Sequence, residues 1–274
     1  MKAGFKTAII TGGSKGIGLR IAKILAKEKY NIVICSRNFS DLQRAKKETE
    51  VFKVKCLAVK TDVLNYNQCK LLIKKTLQSF SRIDLLVNNA GIQGPVGKLW
   101  ENNIKEWEKT IQINLLGTFY MSCLVIPYML KQKSGVIINL SGGGAAYARP
   151  LFSAYGCSKT AVLRLTETLA EELKGKNIKV FALAPGVVWT KMTKEALLKA
   201  KKVSDKKTIQ KLELAKKDGG TSQEKLEKVI LYLLDKKSNK LAGKLIHVNE
   251  LDKIKKKSLK PGSGLLRRVD YPRK

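Results

Sequence analysis

Short apolar, β-branched runs alternate with longer helical stretches along most of this 274-residue chain. The runs are nearly continuous in apolar residues, as expected where both faces of a sheet are buried. Strands that alternate with helices predict βαβ units, and therefore a doubly wound parallel α/β sheet covered by helices on both faces. The seven candidate strands are residues 6–10, 31–35, 55–59, 83–87, 135–140, 178–183 and 243–248.

The domain organisation follows from this rhythm. No Pro-, Gly- or Ser-rich linker divides the chain before residue 190, so a single domain over residues 1–250 is the simplest account. Residues 190–223 interrupt the alternation with a Lys-rich helical segment, which we interpret as an insertion or a substrate lid. Residues 251–274 are charged and contain Pro-Gly-Ser-Gly, which predicts a basic tail that is partly disordered.

The formal net charge of +32 would suit a protein that binds nucleic acid or an anionic membrane surface. The excess is mostly Lys and is spread along the chain, whereas a dedicated nucleic-acid surface favours Arg and interleaved aromatic residues. We therefore expect no specific nucleic-acid partner and interpret the charge as compositional drift.

The cysteines and the N-terminus bear on redox state and location. Five Cys residues stand without metal-ligand spacing, so we expect free thiols and no metal site. Cys157 is disfavoured as a nucleophile because the single His, His247, is far along the chain. We find no signal-peptide cleavage site and no apolar run near the roughly 18 residues of a membrane span, which predicts a cytoplasmic protein.

The first candidate strand leads directly into TGGSKGIG and then into a helical stretch. Glycines in this turn let the backbone bend tightly, approach a pyrophosphate and pack the helix close to the sheet. The helix N-terminus offers N–H groups and a partial positive charge to phosphates. The pattern predicts a dinucleotide site at Thr11, Gly12, Ser14, Lys15, Gly16, Ile17 and Gly18.

The second candidate strand ends in CSRN, at the position that distinguishes the two nicotinamide dinucleotides. A free ribose 2′-hydroxyl usually meets an acidic residue here, whereas a 2′-phosphate needs a cation. Arg37 supplies one cation and Lys15 is a second candidate, so we predict NADP in preference to NAD. The alternative is that both are ordinary solvated charges in a Lys-rich chain.

Further cofactor candidates follow the third and fourth strands. Asp62 and Val63 come after the third strand, where the carboxylate could hold the adenine edge. The sequence NNAG comes after the fourth, and its small residues would let the chain pass against the cofactor; the candidates there are Asn88, Ala90 and Gly91. Each signal is weak alone, because such turns are also ordinary loop chemistry.

Tyr155 and Lys159 stand four residues apart, which places them on one face of a helix. A Tyr ionises near pH 10, so proton transfer near neutrality needs a lowered pKa, and a shift of about 3 units takes roughly 4 kcal/mol. A neighbouring ammonium and a positively charged nicotinamide ring provide that kind of stabilisation. The alternative is a surface pair at a common spacing.

Taken in order, these motifs resemble the classical short-chain dehydrogenase/reductase family over about residues 5–248. The set is TGGSKGIG at 11–18, Asp62, NNAG at 88–91, Asn114, Tyr155-x-x-x-Lys159 and PGVVWT at 185–190. The resemblance implies a Rossmann-type domain, a homodimer or homotetramer, a bound NAD(P)(H), and interconversion of a carbonyl and an alcohol.

The resemblance also implies roles for individual residues. Tyr155 would be the general acid/base, Lys159 would lower its pKa and hold the nicotinamide ribose, and Asn114 would anchor a water in the proton relay. Asn88 and Ala90 would line the cofactor. In the turn after the sixth strand, Val188 and Thr190 would contact the nicotinamide carboxamide and the phosphates, and Pro185 and Gly186 are further cofactor-binding candidates.

One position departs from the family pattern. The family's usual Ser, which hydrogen-bonds the substrate oxygen, stands thirteen residues before the Tyr, and Gly142 occupies that position here. Ser141 would need a bulge or twist to replace it, because neighbouring strand residues point to opposite faces. The alternatives are Ser153, a backbone N–H of residues 142–144 and a group carried by the substrate.

The leading hypothesis is an NADPH-dependent reductase of a ketone, such as a 3-oxoacyl thioester, with Tyr155 protonating the oxygen. The competing hypothesis is a catalytically weak NADPH-binding sensor or structural protein of the same fold, in which the missing Ser marks lost turnover. The intact Tyr155, Lys159 and Asn114 favour the enzyme.

Overall fold

A computed structural model describes residues 5–255 of the chain. Within that range the strands form one parallel sheet of seven members in the order β3-β2-β1-β4-β5-β6-β7, the Rossmann-type topology. The predicted strands are confirmed to within about two residues, apart from a shorter seventh. Their bounds are β1 Thr7–Thr11, β2 Asn31–Ser36, β3 Cys56–Lys60, β4 Leu85–Asn88, β5 Gly135–Leu140, β6 Ile178–Ala184 and β7 Leu245–His247.

Helices connect these strands and cover both faces of the sheet. Their bounds are α1 Gly16–Lys27, α2 Phe39–Glu50, α3 Tyr66–Phe80, α4 Ile104–Ile111, α5 Gly117–Gln132, α6 Ser153–Glu172, α7 Lys191–Lys202, α8 Lys206–Asp218, α9 Gln223–Leu234 and α10 Leu251–Lys255. A π-helical segment, Gln112–Leu116, joins α4 to α5. Asn side chains cap α2, α3 and α4 by accepting backbone N–H bonds in the first turn, which is why these helices begin after Asn38, Asn65 and Asn103.

The core lies in two layers, one on each face of the sheet. Side chains alternate along a strand, so Ala8 and Ile10 of β1 face one layer while Ile9 faces the other. The first layer packs against α1, α2, α9 and α10, and the second against α3, α5 and α6. Burial on both faces explains the apolar strands that the sequence shows.

A buried amide network fastens two helices to the middle of the sheet. The Asn88 Nδ2 donates to Asn139 Oδ1 at 2.9 Å and to Ser122 Oγ at 3.1 Å, and the Asn139 Nδ2 donates to Thr166 Oγ1 at 2.9 Å. These residues lie on β4, β5, α5 and α6, and all are at most 4% exposed. The network therefore fixes α5 and α6 at the end of the sheet where the motifs cluster.

The segment predicted as a lid is helical, since it contains α7 and α8. The chain on its two sides pairs at its base: Trp189 N–H donates to the Gly219 carbonyl at 3.3 Å, and Thr221 N–H donates to the Val187 carbonyl at 2.7 Å. A small apolar cluster that includes Leu197 packs the two helices together, apart from the two main layers. The two helices thus form a small packed unit, and hydrogen bonds between the chain segments before α7 and after α8 hold it to the rest of the domain.

The predicted tail begins inside the fold. Residues 251–255 form α10, and Leu251 and Ile254 are buried in the layer that contains α9. The charged, Lys-rich sequence of the predicted tail continues beyond these residues. The rest of the predicted tail, residues 256–274, lies outside the described residues.

One stretch in the described part of the chain, residues 104–132, is long and apolar enough to cross a membrane, with a mean hydropathy of 1.5 over 18 residues. This corrects the expectation that no apolar run approaches that length. Of that window, 44% is buried in the fold, and Met121 and Val125 pack under the sheet. The stretch meets the criterion for a membrane span by length and composition alone, and core helices of soluble proteins can meet the same criterion.

The start of α1 offers a test of the close packing in the glycine turn. A Cβ on Gly18 would overlap the Gly12 carbonyl of the glycine turn and the Asn89 side chain of the loop after β4. We expect Gly18→Ala to lower the free energy of unfolding by about 1–3 kcal/mol, as overpacking does. Urea denaturation followed by circular dichroism measures the change.

Gly156→Ala is the matched control, because a Cβ there would meet nothing closer than 3.8 Å. Within α6 this change should leave stability equal or raise it by up to about 1 kcal/mol, the helix propensity difference. Equal destabilisation by both variants would contradict the packing argument.

Candidate active site

A cleft of about 910 Å³ opens at the carboxyl ends of the first four strands, where ligands bind in open α/β sheets. The structure brings many of the predicted cofactor residues to its walls. They are Gly12, Ser14, Lys15, Gly16, Ile17, Arg37, Asp62, Val63, Ala90, Gly91 and Thr190. Asn89, Trp189 and the first turn of α7 also line it, and sequence reasoning did not single them out.

The glycine turn is held to the loop after β4 by hydrogen bonds. The Thr11 hydroxyl accepts the backbone N–H groups of Asn89 and Ala90 at 3.0 and 2.9 Å. The Asn89 Nδ2 in turn donates to the Thr11 and Gly12 carbonyls at 2.8 and 3.2 Å. Thr11 itself is buried behind the cleft, so it supports the turn from below. The second Asn of the NNAG motif, Asn89, is the sequence feature that could have predicted this contact.

Two predicted cofactor residues of the turn and the fourth strand face the core instead. Gly18 lies against the Gly12 carbonyl, where only a residue without a Cβ fits. Asn88 is 4% exposed and its amide belongs to the network with Asn139, so it does not line the cleft. Both residues therefore shape the cleft by supporting its walls.

The corner of the cleft next to β2 is positively charged but contains one carboxylate. Arg37 is exposed there, whereas the Lys15 ammonium lies 2.5 Å from the Asp41 carboxylate. Arg44 contacts the same carboxylate at 3.2 Å. The hydrogen bond from Lys15 lowers the pKa of Asp41 below its ordinary value. Lys15 is thus already paired, and Arg37 is the cation of the predicted pair that remains available to a phosphate.

Asp62 is held in place by its neighbours at the start of α3. Its backbone N–H donates to the Gln68 side chain at 2.8 Å, and its Oδ1 accepts the Leu64 N–H at 3.1 Å. One carboxylate oxygen therefore fixes the local turn. The residue lines the cleft as predicted from its position after β3.

The Tyr155 ring lies directly over Gly142. A Cβ built on Gly142 would overlap the Tyr155 hydroxyl, so that hydroxyl occupies the space that a larger residue 142 would need. Burial raises the pKa of Tyr155, and the charge of Arg149 acts in the opposite direction. The triple glycine therefore has a physical reason: the first of the three makes room for Tyr155.

Lys159 is a buried ammonium, with 5% of the residue exposed. It donates to the Leu140 carbonyl at 2.7 Å, and its Nζ lies 5.8 Å from the centroid of the Tyr155 ring. Burial lowers the pKa of Lys159 to about 8. The sequence predicted Lys159 as the cation that lowers the pKa of Tyr155. The charge of Arg149 acts to lower that pKa against the larger effect of burial, while the Lys159 ammonium donates to the end of β5. The role of Lys159 toward Tyr155 stays a prediction.

Asn114 lies in the π-helical segment and is fully buried. Its Oδ1 accepts the Ile92 N–H at 2.8 Å, and its Nδ2 donates to the Ile92 carbonyl at 3.0 Å and to Ser158 Oγ at 2.9 Å. The side chain thereby ties the loop after β4 to α6, next to Tyr155. The role of anchoring a water stays a prediction.

Ser141 and Ser153, the two Ser residues that could replace the missing Ser, differ in their surroundings. Ser141 N–H donates to the Leu183 carbonyl at 2.8 Å, so regular strand pairing continues through this residue without a bulge. Its hydroxyl is buried and has no hydrogen-bond partner in the described structure. Ser153 Oγ instead accepts Trp107 Nε1 at 3.1 Å and Asn102 Nδ2 at 3.4 Å. Ser153 is therefore committed to α4 and the loop before it.

The turn after β6 contributes Trp189 and Thr190 to the cleft. Thr190 caps α7 by accepting the Thr193 N–H, and its methyl group lies close to Gly16 across the cleft. Val188 is 2% exposed and pairs with Gly220 at the base of the lid. Pro185 and Gly186 are not among the lining residues either. Of the four residues predicted from this motif, Thr190 lines the cleft, and Trp189 beside it does so as well.

The described cysteines are free, as predicted. Burial raises the pKa of the Cys35 and Cys56 thiols to about 12 and that of Cys69 to about 11. Within residues 5–255 no group of three or more His, Cys, Asp or Glu side chains comes together to hold a metal ion.

The fold and the cleft define a class, the Rossmann-type NAD(P)-binding oxidoreductases. Residues 6–201 match the family model of the short-chain dehydrogenases. The chain is 32% identical over 244 residues to a 3-oxoacyl-[acyl-carrier-protein] reductase of Thermotoga maritima, covering 89% of this chain and 96% of that protein. The protein belongs to the short-chain dehydrogenase family.

Further known proteins are similar to this chain in sequence or in fold. The chain is 34% identical to the 3-oxoacyl-[acyl-carrier-protein] reductase of Staphylococcus epidermidis, covering 89% of this chain and 97% of that protein. A variant of actinorhodin polyketide ketoreductase with NADPH superposes with a TM-score of 0.80 at 26% identity, covering 89% and 95% of the two chains. Levodione reductase shares the fold, with a TM-score of 0.81 at 24% identity and coverage of 89% and 96%.

The buried Lys159 predicts a pH-dependent stability difference. Its pKa in the fold, about 8, lies below the ordinary 10.5, so the unfolded chain binds this proton more tightly. The penalty is complete below pH 8 and is relieved as the pH rises toward 10.5. The stability of Lys159→Met relative to wild type should be about 2 kcal/mol more favourable at pH 7 than at pH 10.

Urea denaturation of both proteins at the two pH values measures this difference. Lys75→Met, on the exposed side of α3, removes one positive charge outside the cleft and serves as the control. The same pH dependence in the two variants would show that burial of Lys159 is not its origin.

Proposed function

We propose that this protein is an NADPH-dependent carbonyl reductase, with Tyr155 as the general acid. The observation that carries the proposal is the position of the Tyr155 hydroxyl over Gly142, with Lys159 and Arg149 as flanking cations. A neutral phenol is a proton donor, and nearby positive charge stabilises the phenolate that remains after donation.

The cofactor site fits a dinucleotide. The N-terminus of α1 faces the cleft through Gly16 and Ile17, and backbone N–H groups at such an end bind phosphates. A bound nicotinamide would supply the hydride. This chain would hold the pyrophosphate at residues 12–17 and the ribose at Tyr155 and Lys159, with Asn114 keeping the loop after β4 against α6.

The preference for NADP is supported by the charge at the end of β2. Arg37 is exposed at the cleft without a carboxylate contact within 4 Å among the described residues. The actinorhodin polyketide ketoreductase that superposes on this chain holds NADPH. The pairing of Lys15 with Asp41 weakens one of the two cations on which the preference rested, so the proposal depends mainly on Arg37.

The substrate is proposed to be a ketone of the 3-oxoacyl thioester type. Support comes from the two 3-oxoacyl-[acyl-carrier-protein] reductases at 32% and 34% identity. The helices α7 and α8 stand beside the cleft as the proposed lid, with Met192 and Glu195 lining it. Exposed apolar residues on α5, including Phe119 and Tyr128, support a homodimer or homotetramer.

A second candidate is favoured by one observation. Residue 142 has no hydroxyl, and the Ser141 hydroxyl is buried in the sheet without a partner. A protein of this fold without an oxygen-binding donor would bind NADPH but turn over slowly, since the loss of one such donor costs about 3 kcal/mol. Turnover on a panel of ketones and 3-oxoacyl thioesters with NADPH distinguishes the two.

Tyr155→Phe tests the proposed acid. We expect kcat on the best substrate of the panel to fall at least about 100-fold because the proton donor is lost. NADPH binding should stay within about threefold of wild type, because the hydroxyl contributes one neutral hydrogen bond. Steady-state kinetics and fluorescence titration of NADPH measure the two. Tyr128→Phe, exposed on α5, is the control, and wild-type turnover in Tyr155→Phe would refute the assigned role.

Arg37→Met tests the cofactor preference. Loss of a charge-assisted hydrogen bond to a phosphate at an exposed position should raise the Kd of NADPH about tenfold while leaving that of NADH nearly unchanged. Titrations of both cofactors at physiological ionic strength give the ratio. Lys75→Met controls for the general effect of net charge. Equal weakening of both cofactors by Arg37→Met would contradict a 2′-phosphate contact.

A further inference from the structure

Arg149 is a largely buried guanidinium without a polar partner. Among residues 5–255 no carboxylate lies within 4 Å of it, and no acceptor takes a hydrogen bond from it. Its contacts are aromatic: the guanidinium carbon lies 3.6 Å from the centroid of the Phe152 ring and 5.8 Å from that of Tyr155. Burial lowers the pKa of Arg149 below its ordinary value.

This arrangement leaves the strongest donors of the side chain unused. Arg keeps its charge at every physiological pH, so partial burial without an anion costs free energy that a neutral residue would avoid. Phe152 is fully buried, and the stack on its ring fixes the plane of the guanidinium. The N–H groups at the edge of that plane then present a preformed fork, the geometry that binds carboxylate or phosphate oxygens.

The guanidinium lies beside Tyr155 and lines a pocket together with Tyr147 and Phe152. A Cβ built on Gly143 would stand 3.7 Å from Arg149 Nη1 and 3.0 Å from the Tyr147 hydroxyl, so Gly143 leaves a space bordered by two donors. The charge of Asp205, in the connection between α7 and α8, raises the pKa of Arg149. Arg149 thus lies next to the proposed acid, on the loop between β5 and α6.

Asp205 does not satisfy this charge. Its carboxylate caps α8 by accepting the Thr208 N–H at 3.1 Å, and it forms no ion pair with Arg149 in the described structure. Within residues 5–255, no carboxylate pairs with the Arg149 guanidinium.

We propose that Arg149 binds an oxyanion carried by the carbonyl substrate, a carboxylate or a phosphate ester, and so selects anionic ketones. The proposal rests on the proposed reductase function and narrows its substrate class. A hydrogen-bonded anion at Arg149 would hold the substrate beside the Tyr155 hydroxyl, where the proton is delivered.

The first test compares charged and neutral substrates that differ in one group. Acetoacetate is paired with ethyl acetoacetate, and dihydroxyacetone phosphate with dihydroxyacetone, each reduced with NADPH at 0.15 M ionic strength. We expect Arg149→Met to lower kcat/KM for a charged member at least about tenfold and for the neutral member less than about threefold. Arg149→Lys should fall between wild type and Arg149→Met, because an ammonium lacks the fork.

The pair with the larger Arg149 effect identifies the oxyanion as carboxylate or phosphate. Lys75→Met on the exposed side of α3 is the control, since it removes an equal charge outside the pocket that Arg149 lines. An equal loss on charged and neutral substrates would show a structural role and overturn the proposal. The same discrimination lost in Lys75→Met would overturn it too.

The second test does not need turnover. Thermal shifts with acetoacetate, ethyl acetoacetate and the phosphate pair are compared between Tyr155→Phe and the double variant Tyr155→Phe/Arg149→Met. Preferential binding of a charged probe, lost in the double variant, supports the anion site even if no ketone is reduced and the reductase proposal fails. Turnover by wild type without any Arg149-dependent difference between charged and neutral probes overturns the anion site alone.

Discussion

The cleft depends on the hydrogen bonds that join the end of β1 to the loop after β4. β1 pairs with β2 on one side and β4 on the other, so the chain leaves neighbouring strands toward opposite faces of the sheet and a crevice opens between the loops. Thr11 and Asn89 close the bottom of that crevice by exchanging backbone and side-chain hydrogen bonds. Gly18 brings α1 against the same turn. The wall that faces phosphate therefore exists before any ligand is bound.

Burial sets the charge states around Tyr155. It raises the pKa of the phenol and lowers that of Lys159 to about 8, so both side chains are shifted toward their neutral forms. A phenol kept protonated is suited to donate its proton, provided that positive charge is close when the phenolate forms. Arg149, on the loop between β5 and α6, and Lys159, on α6, each lie 5.8 Å from the centroid of the Tyr155 ring. The two cations approach the acid from different elements.

The sheet and most of the cleft could be predicted because local rules determine them. Apolar strands, the glycine turn and the position of Asp62 each depend on residues near in sequence, and the structure places them as expected. The missed features depend on contacts across the fold. Asn88 faces the core because Asn139 and Ser122 satisfy its amide there, and Lys15 is paired because α2 brings Asp41 to it. The apolar stretch through α5 was underestimated because small polar residues such as Ser122 interrupt it in the printed sequence. Arg149 gave no signal, since an Arg in a loop is ordinary until its neighbours are known.

The three consecutive glycines have one explanation in this geometry. The first leaves room for the Tyr155 hydroxyl, the second borders the space between Tyr147 and Arg149, and the third, with φ +95, lets the Arg149 side chain cross the loop beside Gly156. A Ser at position 142 would displace the Tyr155 hydroxyl from where it lies. The absence of a Ser at position 142 and the position of Arg149 therefore both follow from how the glycine loop packs around Tyr155. The loop has no Ser hydroxyl at position 142, and it carries the Arg149 guanidinium as a charged, forked donor beside Tyr155. In the proposed site, this guanidinium binds the oxyanion of a substrate at a distance from the carbonyl that reacts.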